Sequence, residues 1–140
     1  MRQLPILEIY FPSQKAIELK QEFDKNGINL IVVSNNHSKR VKAYASSLGV
    51  DHIFSARKPS SKIIDKYVIE MKINKADAII IGDQTITDIW CANNAKIRSV
   101  LTDKLVAVDQ PITRFNRVFD RIIRRKLIKK KLLVDWRNRL

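Results

Sequence analysis

Four short runs able to form strands, three of them followed by a polar cluster and all separated by segments of helical period, constrain the fold of this chain most. Ile28–Val33 is apolar apart from Asn29, with two valines and two isoleucines; Ala78–Ile81 is wholly apolar and ends at Gly82. Asp51–Ser55 and the stretch from Ile97 to Leu101 complete the set. Runs of this length and β-branched content read as strands, and Ala78–Ile81 as one buried on both sides. Between them the period changes. From Ser13 to Asn26, Ile17, Leu19 and Phe23 fall near one helical face, with Ser13 as N-cap and Asn26-Gly27 as a left-handed stop. From His37 to Leu48, Val41, Tyr44, Ala45 and Leu48 share an inner face, closed by Gly49. Ile63, Ile64, Tyr67, Val68 and Met71 recur at helical spacing after Pro59-Ser60-Ser61. Alternating helices and strands predict an α/β, Rossmann-like fold with a parallel sheet flanked by helices.

In such sheets ligands lie beyond the carboxyl ends of the strands. The residues at those ends are Ser34-Asn35-Asn36, Ala56-Arg57-Lys58 and Gly82-Asp83-Gln84. Ser34 offers a hydroxyl close to where a helix begins, where free backbone N–H groups can hold an anion; N-capping by Ser34 or Asn36 is the plainer account. Lys58 is either a fixed point charge for a phosphoryl group or a solvated loop lysine. Asp83 ends a strand, and Asp88 lies about one turn into a helix starting near Thr85. Two carboxylates facing one point suit a hard cation such as Mg²⁺; alternatively Asp83 caps the helix and Asp88 is solvated. His37 is expected to be exposed.

The strings VVSNN (Val32–Asn36), ARKP (Ala56–Pro59), IGDQTITD (Ile81–Asp88) and ITRFNR (Ile112–Arg117) resemble, in order, motifs of the haloacid dehalogenase (HAD) superfamily. They are closest to its YqeG-type branch, the HAD IIIA-type phosphatases that include mitochondrial phosphatidylglycerophosphate phosphatase. The resemblance implies a Mg²⁺-dependent phosphatase acting on a phosphate monoester, phosphatidylglycerophosphate being one candidate. By position, Ser34 would hydrogen-bond the transferring phosphoryl group and Lys58 would neutralise its charge. Asn35, Asn36 and Arg57 would contact substrate, and Asp83 with Asp88 would hold the metal. The tips of Ser34, Lys58 and Asp83 are expected to converge on one pocket. The connections Gly27–Ser55 and Lys58–Gly82 are too short to contain a large cap domain.

One element of that family pattern is missing from the sequence. The nucleophilic aspartate, in a DxDxT-type motif at the end of the first strand, has no counterpart here; Glu8, the only acid before the first helix, has neither the context nor the spacing. The resemblance places the motif and its strand upstream of Met1. Either the chain starts late or it is a degenerate member without the nucleophile. The former is the expectation, because loss of a central strand leaves unpaired edges on both neighbours.

Charge sets the C-terminal part apart. The 140 residues carry 27 Lys and Arg against 14 Asp and Glu, a net charge of +13. Eleven basic and two acidic residues lie between Ile112 and Leu140, leaving sixteen and twelve for Met1 to Pro111. Two regions are expected: an α/β domain over 1–111, N-terminally incomplete, and a basic amphipathic helix with its tail over 112–140. In that helix Ile112, Phe115, Phe119, Ile122, Ile123 and Leu127 form a drifting apolar stripe among arginines and lysines. Such a helix either completes the core with its arginines solvated or lies on an anionic membrane through 112–131, with Trp136 as a further anchor. Nucleic-acid binding is the alternative from another class, as a basic or non-catalytic HAD-like module. Aromatic residues make up only 7% and fall at expected core positions, which weighs against base stacking. A receiver-like signalling domain uses similar groups, but there the hydroxyl and the lysine follow the acids, whereas here Asp83 comes last. The single cysteine excludes an internal disulfide, and two histidines are too few and too scattered for a zinc site. No apolar run nears the roughly 20 residues of a membrane span. The N-terminus makes a poor signal peptide, so a cytoplasmic protein is expected, peripheral on the inner membrane face if the helix binds lipid.

Overall fold

The computed structural model describes residues 12–102 and 111–131, except the side chains of residues 38 and 111–117. Glu8, the upstream strand, the side chains of the ITRFNR string and Trp136 lie outside what is described. The chain divides into two compact units, Met1–Arg57 and Lys58–Leu140.

In the first unit, α1 (Gln14–Lys25) is followed by β1 (Ile31–Val33), α2 (Ser38–Leu48) and β2 (Asp51–Ile53). β1 and β2 pair in parallel, with Val32 opposite His52. Val41, Ala45 and Leu48, at helical spacing on α2, are buried together with Ile53 and Ala56, as the sequence predicts. On α1, Ser13 caps as expected, its Oγ accepting from the Ala16 amide. Leu19 departs from the expected inner face, since α1 buries no residue fully and Leu19 is half exposed. It stands two positions after Ile17, about 200° round the helix.

The second unit runs α3 (Lys62–Glu70), a 3₁₀ turn (Lys75–Asp77), β3 (Ile79–Gly82), a π-helical turn (Thr85–Ile89), α4 (Trp90–Ala95), β4 (Arg98–Leu101) and α5 (Pro111–Lys129). β3 and β4 are parallel, with Ile80 opposite Ser99. The core is formed by Ile64 and Val68 of α3, Cys91, Ala92 and Ala95 of α4, and Ile97. The alanines let neighbouring elements approach closely.

The expected parallel sheet is thus present as two parallel pairs, one in each unit. β3 is not buried on both sides: Ile79 and Ile81 are 51% and 57% exposed, while Ile80 between them is half-buried. Alternation along a strand puts Ile79 and Ile81 on one face, and only the opposite face is covered.

Four helices end in one way. The amide two or three residues beyond the helix bonds back five residues: Ile28 to Phe23, Val50 to Ala45, Ile73 to Val68 and Ile97 to Ala92, at 2.9–3.0 Å. This closure needs a left-handed residue just past the helix. At α2 that residue is Gly49, with φ 70°; at α3 and α4 it is Lys72 (φ 53°) and Lys96 (φ 57°), whose Cβ atoms are crowded there. Lys72→Gly and Lys96→Gly are each expected to raise stability by about 0.5–1 kcal/mol in urea denaturation, and Gly49→Ala to lower it by about 1 kcal/mol.

The 3₁₀ turn is tied to both flanking helices by Lys75, whose ammonium donates to Asp65 Oδ1 at 2.6 Å and to the Ala95 carbonyl at 2.9 Å. The hydrogen bond from Lys75 holds the Asp65 carboxyl below the usual carboxylate range; partial burial opposes this, and the Ser61 hydroxyl assists. A depressed folded-state pKa stabilises above the unfolded value, and that contribution is lost as pH falls through the folded one. Asp65→Asn is therefore expected to flatten the acid limb of the stability profile. Both side chains are about a third exposed, so the loss at neutral pH is held under about 1 kcal/mol.

Candidate functional site

In the second unit, the Lys58 ammonium donates to Asp88 Oδ1 at 2.6 Å, the two side chains being 14% and 8% exposed. A carboxylate this deeply buried requires a charged or hydrogen-bonding partner. The chain leaving Lys58 is held from α4: the Asn94 amide donates to the Pro59 carbonyl at 3.0 Å and the Cys91 thiol to that of Ser60 at 3.3 Å. Burial pushes the Cys91 thiol above its usual range, although the charge of Lys58 acts in the opposite direction. Cys91 is therefore a structural donor rather than a nucleophile.

Asp83 and Asp88 lie on either side of the turn that leaves β3. β3 ends at Gly82, and the chain passes through Asp83 and Gln84 into the π-helical turn, where Asp88 is buried. The Gln84 amide donates to Asp88 Oδ2 at 3.1 Å, while the Asp88 amide donates to the Gln84 carbonyl at 2.9 Å. The plainer sequence readings fail here: Gln84, not Asp83, precedes the turn, and Asp88 is buried rather than solvated. Glycine at position 82 is required by close approach, since a Cβ there would overlap the Cβ and carboxyl group of Asp88.

A second buried carboxylate holds this turn from the other side, and sequence reasoning missed it. Asp120 of α5 accepts through Oδ1 from the Thr85 amide at 2.5 Å and from the Thr85 hydroxyl. Arg124, one turn later, donates through Nε to Asp120 Oδ2 at 2.9 Å. Its terminal nitrogen donates to the carbonyls of Asp83, at 2.7 Å, and Thr102, at 2.9 Å. These carbonyls lie just beyond the ends of β3 and β4. The available signal was Asp120 itself, a lone acid in a basic helix with arginine four residues on, which is the spacing of helical neighbours.

The expected apolar stripe of α5 is corrected by the same contacts. Phe119, Ile122 and Ile123 are exposed rather than packed in the core, and Val118 and Ile128 are exposed too. The polar pair takes the inward position, so Arg124 is partly buried instead of solvated. Ile112 and Phe115 are among the side chains outside the description.

Ser34, Asn35, Asn36 and Arg57 belong to the first unit. Ser34 lies just past β1: its amide donates to Ile53 O and its carbonyl accepts from the Ala56 amide, both at 2.9 Å. Its Oγ accepts from the Asn36 amide at 3.1 Å. α2 begins only at Ser38, with His37 preceding it without a side-chain cap, so neither Ser34 nor Asn36 is its N-cap. Asn35, Asn36, His37 and Arg57 are exposed. Ser55 and Arg57 adopt positive φ (46° and 55°), a rare backbone state for such residues, immediately before Lys58. Of the sequence-predicted site residues, the structure thus joins Lys58 directly to Asp88 and has Asp83 between β3 and the π-helical turn.

Among the described residues no group of three or more His, Cys, Asp or Glu side chains could hold a metal. Mg²⁺ needs fewer protein ligands: one or two carboxylates, with water and phosphate oxygens completing its shell. As hard oxygen donors, Asp83 and Asp88 fit such an ion. No helix among the described residues is long and apolar enough to cross a membrane.

The sequence pattern of the haloacid dehalogenase-like hydrolases matches residues 10–102. The chain is 37% identical over 122 residues to the "Probable phosphatase YqeG" of Bacillus subtilis (strain 168), an alignment covering 87% of this chain and 70% of that protein. A crystal structure from Lactobacillus delbrueckii subsp. bulgaricus, assigned as a phosphoglycolate phosphatase, superposes with a TM-score of 0.54 at 22% identity. That match covers 61% of this chain and 38% of the other, and at this identity it speaks for the fold alone. Taken with strand-end clusters that follow the family's motif order, these matches show that the chain belongs to the haloacid dehalogenase-like hydrolases, in their YqeG-type branch.

Proposed function

We propose that this chain forms the phosphoryl-binding and metal-holding body of a Mg²⁺-dependent phosphatase for phosphate monoesters. The observation that carries the proposal is the buried Lys58–Asp88 pair beside the turn that bears Asp83. The ammonium of Lys58 is fixed by the carboxylate and presents a positive charge to the phosphoryl oxygens. Ser34, whose Oγ accepts from the Asn36 amide, keeps its own proton and, by its place in the family's motif order, would donate it to the phosphoryl group. Asn35, Asn36 and Arg57, all exposed, would contact the substrate. Asp83 and Asp88 would hold Mg²⁺, which screens the phosphate charge from an incoming nucleophile and stabilises charge developing in the transition state. No DxDxT-type motif occurs in the 140 residues, so none of them is assigned the role of the attacking carboxylate.

Two features favour a phospholipid phosphate such as phosphatidylglycerophosphate as substrate, met at the inner face of a membrane. The connections between strands contain no large cap, which leaves the site open to a bulky ester. The outward side of α5 combines Val118, Ile122 and half-exposed Phe119 with Arg121, Arg125, Lys126 and Lys129, all exposed. Apolar contact and cationic charge on one helix face are what an anionic lipid surface recognises.

With Mg²⁺ and p-nitrophenyl phosphate, steady-state turnover by these 140 residues is expected to stay near background; robust turnover would place the nucleophile within them. Orthophosphate should bind in the presence of Mg²⁺, measured by calorimetry. Lys58→Met should weaken that binding about 10- to 100-fold, the worth of a hydrogen bond to a charged group. If Lys58→Met binds phosphate as well as the parent, the assigned role of Lys58 is wrong.

Vesicles containing phosphatidylglycerol should retain the chain at low salt and release it at high salt. Reversing Arg121, Arg125 and Lys129 to glutamate should lower retention by about 100-fold or more, at about 1 kcal/mol per basic residue. Equal retention on neutral vesicles would exclude the electrostatic reading.

A further inference from the structure

We infer that Asp120 and Arg124 are positioning residues, through which α5 fixes the turn carrying Asp83 and Asp88. The inference rests on the reading of those two carboxylates as the metal-holding pair.

The geometry is that of a clamp with its charge closed internally. Asp120 is 5% exposed and is held by Arg124 from its own helix, so the pair brings no uncompensated charge into the unit. The pair's further hydrogen bonds reach the turn and the strand ends. Asp120 takes the amide and hydroxyl of Thr85, the first residue of the π-helical turn. Arg124 takes the carbonyl of Asp83 before that turn and of Thr102 beyond β4. The backbone is therefore held at 83 and at 85, on both sides of Gln84, whose amide donates to Asp88. Movement of α5 would release the peptide that orients Asp83 and the amide that orients Asp88 together. A planar guanidinium can serve a carboxylate and two carbonyls at once; an ammonium on a flexible stem cannot hold all three in fixed directions. An arginine retained only for surface charge would need none of these contacts.

The test compares the full chain with Arg124→Gln, Arg124→Lys and the double variant Asp120→Asn/Arg124→Gln, which leaves no buried charge unpaired if the single variant fails to fold. Two quantities are read: hydrogen exchange of the amides over 83–88, with α3 as internal reference, and Mn²⁺ affinity by electron paramagnetic resonance, with Asp83→Asn as control. In the glutamine variants the 83–88 amides should exchange at least 10-fold faster while α3 is unchanged, and Mn²⁺ affinity should fall at least 10-fold. Lysine at 124 should recover only part of both. Unchanged exchange over 83–88, or acceleration shared equally by α3, overturns the inference. So does faster local exchange with undiminished Mn²⁺ affinity, which would leave the clamp purely architectural. If Asp83→Asn binds Mn²⁺ like the parent, the metal reading itself fails, and the positioning role falls with it. That result is distinguishable because the control, not the clamp variants, reports it.

Discussion

The second unit is built around a carboxylate with little access to bulk water. Asp88 is pressed against the backbone of Gly82, and one of its oxygens faces an ammonium and the other an amide. A charge in that position would be untenable without such partners. Meeting the requirement fixes much else. Position 82 must lack a side chain, the π-helical turn must bring Asp88 back towards β3, and Lys58 must be delivered from a distant segment. Cys91 and Asn94 hold the chain just past Lys58, so α4 supports the ammonium as well as contributing to the core. The chemistry and the packing of the unit share the same contacts.

From residue 118 onward, α5 departs from the usual arrangement of an amphipathic helix. Such a helix ordinarily turns an apolar stripe inward and charges outward. Here an acid and a base occupy the inward position, and isoleucines and a valine remain among the outward cations. Among the described side chains of α5, hydrogen bonds to backbone groups at the ends of two strands join the half-buried Leu127 on the inward side. Such bonds are directional, so they define the angle and register of a helix more sharply than apolar packing does. The same departure leaves aliphatic surface available for contact outside the unit.

The sequence was informative where one residue type permits little else, and uninformative where geometry decides. The alternation of strands and helices, the buried face of α2, Ile64 and Val68 of α3, and the polar clusters after three strands follow from local period and could be read directly, whereas Met71, in the same stripe, lies past the end of α3 and is exposed. The partnership of Lys58 with Asp88 spans thirty residues, so local pattern placed both near strand ends without revealing that they touch. Asp120 and Arg124 were hidden by composition, since eleven basic residues made any one arginine look like solvated surface. Lys72 and Lys96 gave no sign of their left-handed conformation, because lysine carries no preference for it. The exposed Ile79 and Ile81 show the limit of hydrophobicity as a guide. A run of three isoleucines states that burial would be favourable, but whether both faces are covered depends on which other elements reach them.

The π-helical turn has a consequence for how this chain can vary. A π turn accommodates one residue more than the α-helix it leads into, and one residue corresponds to about 100° of rotation about the helix axis. The extra residue sets the phase between Asp88, which faces Gly82, and Cys91, Ala92 and Ala95, which face the core. Deleting a residue between 85 and 89 would preserve one of these orientations only by turning the other away. The number of residues in that short segment is thus under stricter control than the identity of most of them. Divergent sequences of this branch should tolerate exchange of its side chains far more readily than a change in its length.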